Sequence, residues 1–122
     1  LRAPVPAGAT VLSAVLTASR LQNGTPYPAG QQLLVEATPW VASLGGLDAG
    51  DFVAANLAGT APVVGATAAG TALVVDITAL VQAYVNANSP TVDLRLRMAN
   101  EALPPDDYDS LGAWGLQVTF RP

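Results

Sequence analysis

No cysteine and no histidine occur in the 122 residues of this chain. The first absence rules out disulfides and thiolate metal sites, so the redox compartment leaves no trace in the sequence. The second removes the commonest general base and the commonest zinc ligand. It also makes a Ser–His–Asp arrangement impossible, although five serines are present. Lysine is missing too: five arginines oppose nine acids for a net charge of −4. Nothing forms a basic stripe, which argues against a nucleic-acid partner. Charged residues make up 11% of the chain, against about 25% in an average globular protein. Aromatics are 6%. No apolar run approaches the roughly 18 residues of a membrane span, so membrane insertion is not expected.

What remains is small and apolar. Apolar residues reach 51%, much of it Ala and Val, which predicts a core of short, closely packed side chains. The length suits one domain, residues 1–122, with a core of its own. A surface of Thr, Ser, Gln, Asn and Ala suits a protein covered by neighbours, or one that lives outside the cell. The chain opens on Leu1 and not Met; a removed leader or a segment of a longer protein is the expectation.

Period-two alternation predicts a strand at Thr10–Thr17, after an extended lead-in carrying Pro4, Pro6 and Gly8. Asn23-Gly24 opens a turn and loop, and Gln31–Ala37 is the next strand. One or two short strands are expected around Ala61–Thr67, and another at Thr71–Val75. The segment Asp76–Ala87 then changes period: Ile77, Leu80, Val81 and Tyr84 recur at helical spacing. Asp76 is the expected helix cap, its carboxylate accepting from free N–H groups of the first turn. Asn86, Asn88 and Pro90 end the helix, which reads as a lid over one end of a sheet. In "TVDLRLRMA" Val92, Leu94, Leu96 and Met98 face one way, with Asp93, Arg95 and Arg97 on the other. "WGLQVTF" repeats the pattern, with Trp114, Leu116, Val118 and Phe120 inward, after a polar loop over 100–113. Short strands punctuated by Pro and Gly predict an all-β fold, an antiparallel β-sandwich with one short capping helix at 76–87.

Candidate chemistry is sparse. Asp106, Asp107 and Asp109, near Asn100 and Glu101, form the acidic cluster, an oxygen-rich loop that either holds Ca²⁺ or is simply solvated. Asp48 and Asp51 are a lesser version of the same choice. Paired carboxylates can cleave a glycosidic bond, but Asp76 has a capping role and Asp93 lies on a strand's polar face. No Gly-x-Ser-x-Gly turn and no phosphate-cradling glycine loop occurs. The expectation is a protein that is not an enzyme and needs no cofactor. Trp40, Tyr27 and Tyr108, in loops or at strand ends, are candidate stacking platforms for a glycan, with core anchoring the competing role for Trp40. Trp114 and Tyr84 read as packing, and Arg95 and Arg97 as paired on the sheet's outer face.

Three stretches carry a family likeness. "VPAGATVLSAVLTA" resembles the P-x-G-A-x-I-x-x-A-x-L strand of DNRLRE-type β-sandwich modules. "VVDITALVQAYVNA" is similar to their D-V-T-x-L-V-Q segment, and "DDYDSLGAWGLQVTF" to their closing aromatic/Ser loop and last strand. The name-giving motif is absent, Gly112-Ala113-Trp114 stands where a proline is usual, and the stretch that precedes "PAGATV" in the family, with its first strand or two, is missing. The resemblance implies a jelly-roll sandwich of secreted, cell-surface or phage structural and tail proteins, some of them carbohydrate-binding modules. It also implies that an edge is left for an upstream segment or a neighbouring chain to complete. Two functions follow as expectations. One is a non-catalytic structural module of a virion (capsid decoration or tail) or other surface assembly, a homo-oligomer or bound to a neighbouring structural protein. The other is a carbohydrate-binding module of a secreted or cell-surface protein.

Overall fold

A computed structural model describes residues 5–22, 32–39, 55–66, 72–89, 91–100 and 110–122. Its elements, in chain order, are β1 (Thr10–Gln22), β2 (Leu33–Ala37), β3 (Val63–Ala66), β4 (Leu73–Asp76), α1 (Thr78–Asn86), β5 (Leu94–Met98) and β6 (Ser110–Arg121). They form two three-stranded antiparallel sheets, ordered β4-β1-β6 and β3-β2-β5. The pairing is nested: β1 takes β6, β2 takes β5, and β3 meets β4 where the sheets come together. A long ribbon wrapped into two layers produces that pattern, the sandwich-like, all-β architecture expected of a jelly roll.

The core lies between the layers. Ala14, Leu16 and Ala18 of β1, Val35 and Ala37 of β2, and Leu73 and Val75 of β4 are all buried. Their alternation with exposed Ser13, Thr17, Val74 and Asp76 is the one-sided pattern of an antiparallel sheet. Small side chains let the layers approach. Gly65 sits where β3 carries an extra residue against β2, and a Cβ there would lie 3.2–3.3 Å from Leu73 Cδ1, Leu33 O and Val35 Cγ2. This margin, β3 against β4, is therefore closed tightly.

Helix α1 has nine residues, too few to hold by propensity. Packing holds it: Leu80, Val81, Tyr84 and Val85, with Ile77 just before them, are buried. Each contributes roughly 2 kcal/mol by leaving water. The C-terminus closes with Asn88 in the left-handed region (φ 53°), its N–H bonded to the Val85 carbonyl while Ser89 N–H reaches Tyr84 O.

Several boundaries differ from the sequence reading. The helix begins at Thr78, because Asp76 is still laddered to Val15 as the last residue of β4. The lead-in is a turn, not an extended arm: Ala9 N–H reaches Pro6 O across Gly8 at φ 78°. Strand β6 starts at Ser110, inside the stretch expected to be loop, since Gly112, Leu111 and Ser110 pair with Ser19, Arg20 and Gln22 beyond a bulge.

An open margin of the sandwich

Sheet one guards one flank of β1 with side chains. Strand β4 covers only Val15–Ala18. Beyond it the chain turns into α1, and the ladder is continued by substitutes. Ile77 N–H donates to Ala14 O (2.8 Å), and Ala14 N–H to Thr78 Oγ1 (2.9 Å). Gln82 completes the row: its Oε1 accepts from Val11 N–H (2.7 Å) and its Nε2 donates to Ala9 O (3.2 Å). The carboxylate of Asp76 organises the start of this device, accepting from Thr78 N–H (2.9 Å) and from the Thr78 hydroxyl (2.6 Å). Those two bonds hold its carboxyl below the usual range. Asp76 thus meets a first-turn N–H as expected, but from one residue before the N-cap, which is Ile77.

Among the described residues, the other flank of the sheet has no such cover. In β1 the backbone groups of Ala14 face α1, so those of Ser13, Val15 and Thr17 face β6 and engage Thr119, Gln117 and Gly115. By the same alternation the N–H and C=O of Leu116, Val118 and Phe120 point away from β1. Among the described residues nothing pairs with them. Their side chains point inward, half-buried against the core, while those of Gln117 and Thr119 are exposed.

Beside this edge the two sheets stand apart. A cleft of about 290 Å³ opens between them, lined by Leu16 of β1, Val92, Leu94 and Leu96 of the β5 segment, and Trp114 of β6. Trp114 is 42% exposed, which corrects the reading of it as a core residue. The cause is the bulge: two residues of β6, Ala113 and Trp114, span the gap opposite Ala18, and Ala113 takes φ 49°. The indole is thereby turned to the rim of the cleft.

Two polar anchors stiffen the sheet opposite. Glu36, 2% exposed on the outer face of β2, is gripped by Arg95 (2.8 Å) and Arg97 (2.9 Å) of β5. Burial alone works to raise its pKa, but the hydrogen bonds and charges of the two arginines outweigh it and hold the carboxyl below its ordinary value. Arg95 also reaches Asn56 Oδ1 (3.3 Å). Pairing of both arginines on the outer face was expected; Glu36 as the shared partner was not. Its signal was there in the alternation of Glu36 with Val35 and Ala37, and of Arg95 and Arg97 with Leu94 and Leu96, which puts acid and base on one face if β2 and β5 pair. At the sheet's end the Tyr84 hydroxyl lies between the carbonyls of Thr38 (2.7 Å) and Asp93, and accepts from Thr38 N–H (2.8 Å). Burial pushes this phenol up to about 12.

The residues singled out for ligands, Trp40, Tyr27 and Tyr108, and for calcium, Asp106, Asp107, Asp109, Asp48 and Asp51, lie outside the described residues. Among the described residues no three metal-ligating side chains come together, and no helix is long and apolar enough to cross a membrane. Comparison with protein-family models, with characterised proteins and with solved structures finds no match for this chain.

Proposed function

We propose that this chain is a non-catalytic structural module that works through protein–protein contacts at the margin formed by β6 and the adjoining cleft. The observation that carries this reading is the contrast between the two flanks of sheet one. One is sealed by side chains of α1 placed residue by residue along β1, whereas the other presents backbone groups that pair with none of the described residues, beside an apolar cleft. Proteins that avoid association cover, charge or shorten such edges. Strand β6 is twelve residues long and carries one charge, at Arg121. With the low overall charge and the resemblance to surface and phage modules, this supports a role in a virion, as capsid decoration or tail component, or in another surface assembly.

A glycan-binding role is the second reading, and Trp114 is what favours it: an exposed indole on the rim of a cleft is a stacking platform. Among the described residues the lining is apolar, however, and a sugar site needs convergent polar groups. Light scattering over a concentration series decides between the two. A defined oligomer supports the structural role. A monomer at every concentration that binds a glycan array, and loses binding on Trp114→Ala, overturns it.

A further inference from the structure

Resting on that structural reading, the geometry points to a specific partner for β6: the β6 strand of a second copy, paired antiparallel about a two-fold axis at Val118. The argument starts from backbone polarity. Outward N–H and C=O groups belong to Leu116, Val118 and Phe120, so the set is symmetric about its middle member. Antiparallel pairing centred there sets Leu116 against the partner's Phe120, Phe120 against the partner's Leu116, and Val118 against itself. Each of these is a pair whose two residues exchange both hydrogen bonds, so every outward donor meets an outward acceptor.

Side chains agree with this register. Gln117 falls opposite the partner's Thr119 on the exposed face, an uncharged polar pair. Arg121, the one charge in β6, falls opposite the partner's Gly115, where no side chain obstructs it. The two Arg121 residues then stand at opposite ends of the seam, whereas a parallel copy in matched register would set them side by side, with like charges meeting. On the inner face the two clefts flank the seam, and each Trp114 falls opposite the partner's Pro122. The result is a continuous six-stranded sheet, and the interface is isologous and closed. A dimer, and not a filament, is the product.

The test uses two charge-substituted chains. Gln117→Lys with Thr119→Lys puts lysine opposite lysine across the seam, and Gln117→Glu with Thr119→Glu does the same with carboxylates. Both positions changed, Gln117 and Thr119, carry exposed side chains, and retained far-ultraviolet circular dichroism checks the fold. By sedimentation equilibrium the wild-type chain should be a dimer, each double variant should dissociate at least about tenfold more readily, and an equimolar mixture of the two should recover the dimer. The single variant Thr119→Lys is a milder probe, expected to weaken the dimer less than the double lysine variant and to be rescued by the glutamate variant. A wild-type oligomer that persists unchanged in both double variants overturns this assignment while leaving the structural role intact, since another surface would then be in use. A wild-type chain that stays monomeric throughout overturns both.

Discussion

Tyr84 shows how much one hydroxyl can settle. Its ring is core for α1, yet its oxygen is the link between the helix, which packs on sheet one, and the backbone where β2 and β5 end. Tyr84→Phe keeps the ring and removes the hydroxyl donor that the Thr38 and Asp93 carbonyls share, while the Thr38 N–H keeps its bond to Asp93 O, so chemical denaturation should show a loss of about 1 kcal/mol. The same burial raises the folded pKa to about 12 from 10.0. A raised phenol pKa means that the stability it contributes is complete below pH 10 and drains away as pH rises toward 12. Absorbance at 295 nm should therefore show one of the three tyrosines ionising about two pH units late, and Tyr84→Phe should delete that late step. Asn88 is a second single-residue lever. It holds the left-handed position that ends α1, where glycine is at ease and a β-branched residue is not. Asn88→Gly should gain roughly 0.5 kcal/mol and Asn88→Val lose about 1–2 kcal/mol, read from urea midpoints. Helical spacing disclosed that Tyr84 faces inward. The use of its hydroxyl was hidden, because Thr38 and Asp93 become neighbours only when β2 pairs with β5.

At the scale of the element, the segment Asp76–Gln82 is better understood as a strand's substitute than as a lid. Each polar residue in it has a place along β1: Asp76 sets Thr78, Thr78 takes the Ala14 N–H, and Gln82 takes Val11 and Ala9. Thr78→Val combined with Gln82→Ala keeps the apolar stripe and removes the ladder. It should cost about 2–3 kcal/mol in urea unfolding, and it should raise light scattering on standing as a second edge is bared. The helix itself was legible from its period. Its start was not, because Asp76 serves the strand before it and the helix after it at once. Strand β6 was read too short for a different reason. A bulge adds a residue and resets the phase of alternation, so a rule of period two stops at Ala113 and Trp114 while the strand runs on. The same slip sent Trp114 to the core. The register that makes β6 self-complementary also escapes the sequence, since backbone direction follows from which residue of β1 faces the helix.

Across the whole molecule, charge is so scarce that acid unfolding reduces to a few groups. Protonating every acid leaves only five arginine side-chain charges, too few for strong self-repulsion. Loss of specific carboxylates must dominate, and among the described residues Glu36 is the buried one, bridging two arginines. A depressed carboxyl pKa contributes stability that is present above the ordinary value of 4.5 and is lost as pH falls through the lower folded value. Melting temperature should hold on acidification to about pH 5 and drop below pH 4.5. Glu36→Gln should start about 2 kcal/mol less stable at neutral pH and show a much flatter acid limb. The nested pairing has a consequence in time as well. The strands nearest in sequence, β3 and β4, can meet first, β2 and β5 enclose them, and β6 reaches β1 only by closing a loop of nearly the whole chain, Thr10 to Arg121. Loop-closure entropy makes that last step slow. The strand whose far edge no described residue covers is thus also the last to be laid down, and until it arrives β1 offers a waiting place that the β6 of another copy can fill as well as its own.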